Sequence, residues 1–178
     1  YRATKAALYR AKGREFMSRK LWVDALAHLT KAVETDPEDI DSLTDRAYCL
    51  LRKGESELAV LEYERVLAVR PDATQAAIRL ATALDHLGRH VESEARLLDA
   101  ITRDPGVPAT YRQLASTRRA RGDLVGSEAA FTMGIAHNDK WAPGYWWRGG
   151  VRRDVGDEAG AEADFRMAIQ QIGRASCR

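Results

Sequence analysis

The sequence predicts an all-α array of antiparallel helix pairs, and three observations predict it. Similar segments return along the 178 residues with a period of 34. Two ladders share that period: Pro37, Pro71 and Pro105, continued by Asp139, and Gly54, Gly88, Gly122 and Gly156, preceded by Lys20. Between the ladder positions, apolar residues recur at helical spacing. Together the ladders define five repeats, 6–39, 40–73, 74–107, 108–141 and 142–175, read as one domain over 1–178. Residues 174–178 read as a tail or a cloning scar.

Every repeat has the same internal order. The ladder glycine falls between two helical segments, where a helix end favours a residue that accepts positive φ. The ladder proline closes the second segment, because it cannot continue a helix. The second segments are "DALAHLTKAVETDP" (24–37), "ELAVLEYERVLAVRP" (57–71), "ESEARLLDAITRDP" (92–105), "GSEAAFTMGIAHND" (126–139) and "GAEADFRMAIQQIG" (160–173). In repeat 2, Leu43, Ala47, Leu50 and Leu51 form one predicted apolar face, and Leu58, Ala59, Tyr63, Val66 and Leu67 form another.

Bulky, small and aromatic residues sit at set places. Repeat 1 has Tyr9, Gly13, Phe16, Ala25, Leu29, Ala32 and Pro37. Repeat 2 has Leu43, Ala47, Leu50, Ala59, Tyr63, Val66 and Pro71, and repeat 3 has Ala77, Ala81, Leu84, Ser93, Leu97, Ala100 and Pro105. Repeat 4 carries Tyr111, Ala115, Ser127, Phe131 and Gly134, and repeat 5 carries Tyr145, Gly149, Ala161, Phe165 and Ala168. This pattern resembles the tetratricopeptide repeat over nearly the whole chain. The departures are Lys12, Arg46 and Arg148 where leucine is usual, Arg118 and Arg152 where an aromatic is usual, and Asp139 for proline; they loosen repeats 4 and 5.

The resemblance implies a right-handed superhelical solenoid, since each repeat buries its apolar face only against its neighbours. It also implies that the first helix of each repeat lines a concave groove. Carried onto this chain, the groove places include Arg10, Arg14, Tyr48, Arg79, Arg112, Arg119, Trp146, Trp147 and Arg153. Six arginines there outnumber the three aspartates Asp41, Asp45 and Asp85. Arginine pairs carboxylates with a planar fork, so the expected partner is a protein or peptide segment, acidic and carrying an apolar anchor. The family's clamp for acidic chaperone termini is disfavoured, because Asp45 stands where that clamp has asparagine and would repel a carboxylate. The groove asparagine ladder of the sugar transferase that modifies nuclear proteins is likewise missing.

The stretch "KWAPGYWWRGG" (140–150) divides by register. Tyr145 falls at a core place and Trp141 at the joint between repeats 4 and 5, which leaves Trp146 and Trp147 as candidate anchors.

Other functions find less support. A composition 45% hydrophobic and 30% charged, without an apolar run of about 18 residues, argues against membrane insertion. A net charge of +2 gives no general case for nucleic acid. The basic runs "RRAR" (118–121) and "RGGVRR" (148–153), with Trp146 and Trp147, make single-stranded RNA the alternative partner. Against it, repeats 2 and 3 are net acidic and interrupt any basic track. A second alternative is self-assembly through the C-terminal end, where no capping helix follows the last repeat.

His86 and His90 have metal-pair spacing, but Gly88 between them sits at the turn, so they should not share a face. His28 and His137 read as packing or surface residues. "RGDL" (121–124) is explained by its ladder glycine. No catalytic, cofactor-binding or metal-binding constellation stands out, and a non-enzymatic scaffold is expected. Cys49 and Cys177 lack ligand spacing; a disulfide between them is disfavoured and a reducing, cytoplasmic setting favoured. The chain shows no signal peptide and begins at Tyr1 without an initiator Met, so it reads as an excised fragment or trimmed product.

Overall fold

The structure is a computed structural model that describes residues 1–176, with side chains through Gly173. Cys177 and Arg178 lie outside the described residues, and so does the expectation that Cys49 and Cys177 form no disulfide. Two compact units divide the chain, one over Tyr1–Arg89 and a second that begins at His90. The first holds α1 (Arg2–Ser18), α2 (Trp22–Thr35), α3 (Ile40–Lys53), α4 (Ser56–Val69) and α5 (Thr74–His86). The second holds α6 (His90–Arg103), α7 (Pro108–Ala120), α8 (Leu124–His137), α9 (Ala142–Asp154) and α10 (Glu158–Ser176). Among the described residues there is no strand. Successive helices pack together within each unit, and in the first, α3 also touches α1 and α5, which makes those three one layer.

The helix ends follow from the two ladders. Gly54 takes φ 85°, and the amides of Gly54 and Glu55 donate back to the carbonyls of Leu51 and Leu50 at 3.1 and 3.0 Å. That paired closure satisfies two carbonyls the helix would otherwise leave open. The same two bonds close α1, α5, α7 and α9, with Lys20 at φ 59° filling the place without a glycine. At the other joint, the α2 cap residue Asp36 is extended at φ −140°, the conformation that a following proline imposes. Asn138 adopts φ −142° ahead of Asp139, so the fourth joint keeps its shape without the proline.

The predicted α3 face is buried in full: Leu43, Ala47, Leu50 and Leu51 all lie in the core of the first unit. On α4, Ala59, Tyr63 and Val66 are buried and Leu67 packs against them, but Leu58 is 50% exposed. Leu58 precedes Ala59 by one step of about 100° around the helix, and Val60 takes the inward place instead. Small residues let paired helices close up. A Cβ on Gly13 would sit 2.6 Å from Leu29 Cγ, and one on Gly149 would sit 2.8 Å from the Phe165 ring.

The departures from the repeat pattern are mostly filled by ion pairs. Arg46 of α3 meets Glu62 of α4 at 2.5 Å, and 102 residues on, Arg148 of α9 meets Asp164 of α10 at 2.7 Å. Arg118 of α7 pairs with Glu94 of α6 at 2.7 Å, and Arg152 of α9 pairs with Glu128 of α8 at 2.7 Å. Each arginine reaches across one helix seam to a carboxylate on the facing helix, and Arg118, Arg148 and Arg152 do so in repeats 4 and 5, where loosening was expected. Lys12 differs: it is exposed, bonded to Glu15 at 3.0 Å and lying over the Phe16 ring.

Candidate functional site

In the first unit the predicted groove residues separate into paired and stacked groups. Arg10 lies between Asp39 at 2.5 Å and Asp41 at 3.6 Å, while Arg14 bonds Asp45 at 2.5 Å. Burial, outweighing the hydrogen bond from Arg14, holds the Asp45 carboxyl above the usual carboxylate range. Tyr48 is half-buried between two neighbours. The Arg79 guanidinium lies 3.9 Å from the centre of its ring, and Trp22 meets it edge-on at 5.8 Å. Arg52 sits over Trp22 at 5.1 Å, extending the cluster. Sequence reading missed Trp22 and Arg52. The signal was present, since Ser56, His90, Leu124 and Glu158 hold the equivalent place in the other repeats and none is aromatic.

In the second unit, α7, α8 and α9 enclose an open cavity of about 380 Å³. Arg112, Ser116 and Arg119 come from α7, Ser127 and Phe131 from α8, and Trp146, Trp147 and Gly150 from α9. Trp147 is fixed by Phe131 at 6.0 Å and by Trp141, edge-on, at 5.8 Å. The Arg112 guanidinium lies 5.5 Å from the centre of the Trp147 ring. Trp146 is 54% exposed and leans on Phe165 at 4.9 Å. Arg119 is held by Asp154 at 2.5 Å, and Arg153 is exposed and outside the cavity lining. The cavity is therefore cationic at one rim and aromatic along its walls.

Local packing explains this placement. Trp141 is the buried N-cap residue of α9, and its ring occupies space that a Cβ on Gly134 or Gly144 would enter. Tyr145 is buried one turn on, as the register predicts, while Trp146 is largely exposed and Trp147 is half-buried against Phe131 and Trp141. Three of the six predicted groove arginines, Arg10 and Arg14 in the first unit and Arg119 in the second, already hold carboxylates, so fewer free cations remain than the count of arginines suggested.

The basic runs are also largely committed. Arg118 and Arg121 both bond Glu94, and Arg148 and Arg152 share Asp164. His86 ends α5 and His90 begins α6, with Gly88 at φ 72° between them. His28 stacks on Phe16 at 5.3 Å and His137 on Tyr111 at 5.8 Å, which are packing roles. Among the described residues, no group of three His, Cys, Asp or Glu side chains could hold a metal ion. No helix among them is long and apolar enough to cross a membrane.

Helix pairs of one period, presenting aromatic and cationic side chains, define a helical-repeat interaction scaffold. Residues 28–60 and 50–108 match two family models of the tetratricopeptide repeat, so that stretch of the chain carries tetratricopeptide repeats. The chain is similar to DNJ1 of Fusarium oxysporum, a tetratricopeptide repeat and J domain-containing co-chaperone, with 28% identity over 119 residues (64% of this chain, 23% of that protein). It is also similar to the STIP1 homolog of Dictyostelium discoideum, with 27% identity over 103 residues (58% of this chain, 18% of that protein). The matched region is thus a small part of either relative's length. Among solved structures, MamA from Desulfovibrio magneticus matches with a TM-score of 0.78 at 19% identity, covering 96% of both chains. The Pseudomonas aeruginosa pilF structure matches at 0.77 and 20% identity, covering 96% of this chain and 78% of that one. These likenesses show the tetratricopeptide fold.

Proposed function

We propose that this scaffold captures an acidic, anchor-bearing segment of a partner protein, and that the cavity between α7 and α9 is its principal site. The observation that carries the reading is Arg112 poised over Trp147 at the rim. A guanidinium on an aromatic face keeps its in-plane N–H groups free to donate to a carboxylate. Arg112 has no carboxylate partner among the described residues, unlike Arg119 beside it. Trp146 and Trp147 supply the rigid apolar surface on which binding hot spots are built. In the first unit, Arg79 over Tyr48 repeats the same chemistry, and Arg10, Arg14 and Arg153 complete the proposed contact set. Exposed pairs such as Arg119–Asp154 are weak enough to exchange partners. The work proposed here is binding; it calls on no catalytic group, cofactor or metal.

The co-chaperone relative raises the question of a clamp for a C-terminal carboxylate. That reading fits less well, because Asp45, on Arg14, stands where the clamp has asparagine. The test is a titration, followed by tryptophan fluorescence, of acidic peptides onto the wild type and an Arg79→Glu, Arg112→Glu variant. The double variant is expected to lose well over about tenfold in affinity, as charge reversal at two carboxylate-binding arginines requires. Unchanged affinity would remove the groove reading. Binding of single-stranded RNA with steep salt dependence, by a protein indifferent to acidic peptides, would favour nucleic acid instead. A concentration-dependent dimer would favour self-assembly.

A further inference from the structure

Resting on that reading, we infer that the cavity below Arg112 receives the side chain of a tyrosine in the acidic segment. Gly150 leaves that space open from the α9 side. Gly150 stands where repeat 2 has Tyr48, and a Cβ built on it meets nothing within 4 Å. The volume of about 380 Å³ is ample for one aromatic side chain between Phe131, Trp147 and Val151.

The cavity also contains a hydroxyl with a defined need. Ser127 lines it, is 1% exposed, and its Oγ has no hydrogen-bond partner among the described residues. One repeat earlier the equivalent Ser93 is bonded to Thr117 at 3.1 Å. In the next repeat the place of Thr117 is taken by Val151, which cannot accept or donate, so the Ser127 hydroxyl loses the partner its counterpart has. A buried hydroxyl left unpaired is costly, and a ligand atom that meets it is rewarded.

Among side chains, tyrosine fits each feature. Its ring matches the aromatic walls, and its phenol can both donate to and accept from a serine hydroxyl. Phenylalanine would fill the space and leave Ser127 unmet. Aspartate or glutamate would bring a charge among apolar walls, where one hydroxyl does not replace its water. The flanking carboxylates of the segment would remain at the rim, on Arg112.

The experiment uses the whole chain and short peptides of Asp, Glu and Gly with a central Tyr, Phe or Leu, titrated onto the wild type, Ser127→Ala, Gly150→Leu and Arg112→Glu. Alanine at 127 is native chemistry for this place, since Ala25, Ala59 and Ala161 occupy it in other repeats. The wild type is expected to prefer Tyr to Phe by about tenfold, the effect of one buried hydroxyl pairing. Ser127→Ala should reduce that preference below about twofold, and Gly150→Leu should abolish the aromatic preference while far-UV circular dichroism stays unchanged. Equal binding of Tyr and Phe peptides that still depends on Arg112 would overturn the tyrosine assignment and leave the acidic-segment reading standing. A Tyr preference that survives Ser127→Ala would also overturn it. Failure of every peptide to bind the wild type would overturn both.

Discussion

Lys20 holds the left-handed place that four glycines fill elsewhere, at φ 59°. A side chain in that conformation costs about 1–2 kcal/mol, partly offset because glycine would add freedom to the unfolded chain. Lys20→Gly is therefore expected to stabilise the protein by about 0.5–1 kcal/mol and raise its melting temperature; a lower melting temperature would contradict the turn assignment. This feature was legible from sequence, since the spacing alone put Lys20 on the glycine ladder.

Cys49 carries a prediction that spacing could not supply. Burial pushes its thiol up to about 12, so at mildly alkaline pH almost none is thiolate. In a Cys177→Ser background, a disulfide reagent is expected to find no reactive thiol until denaturant is added. Prompt labelling of the native protein would show Cys49 to be accessible.

Asp45 has the opposite sign from most paired carboxylates. Its pKa is raised in the fold, so the folded chain binds the proton more tightly than the unfolded one, and this residue's contribution to stability falls as pH rises through that window. Measured against Asp45→Asn across the acid range, the wild type should lose relative stability with rising pH. A gain would mean that Arg14 outweighs desolvation.

At the scale of elements, the sequence pattern reads well where packing is apolar and fails where it is ionic. The ladder positions gave helix ends and the α3 face correctly, because apolar periodicity and turn geometry are local. The arginines at 46, 118, 148 and 152 looked like defects, because their partners lie on the facing helix, 16 or 24 residues away. The charge pairing was visible only once register had been aligned with fold. Arg148 and Asp164 have side chains 12% and 4% exposed, so the pair is buried. Asp164→Ala strands Arg148 and is expected to cost about 3–5 kcal/mol in denaturant unfolding. The double change Arg148→Leu, Asp164→Ala installs the Leu114 and Ala130 found at these places in repeat 4, and should recover most of that loss. If the double variant were as unstable as the single one, the seam would need more than shape and charge neutrality.

At the scale of the whole molecule, the five repeats and the tetratricopeptide fold were legible because a period of 34 is a global property of the sequence. The proposed binding surface was legible only in part. The register placed Tyr48, Arg79, Arg112 and Trp147 on the predicted helix faces, but could not show that Arg10, Arg14 and Arg119 are occupied by carboxylates. Nor could it show the cavity at Gly150, which depends on three helices meeting. The reading of 1–178 as one domain is a proposal with its own test. Three of four tryptophans lie in the second unit, so fluorescence reports mainly on that part of the chain, and circular dichroism on all of it. Coincident urea transitions by the two probes are expected of one cooperative domain, and separated transitions would contradict it.

The central claim is that the face carrying Arg112 and Trp147 binds acidic, aromatic-bearing segments. Selection from a library of random short peptides displayed on phage, against the wild type and Arg112→Glu in parallel, tests it without naming a partner. The account predicts enrichment of sequences that combine Asp or Glu with an aromatic residue on the wild type, and their loss on the variant. Enriched peptides with no acidic excess, or retained equally by Arg112→Glu, would contradict it.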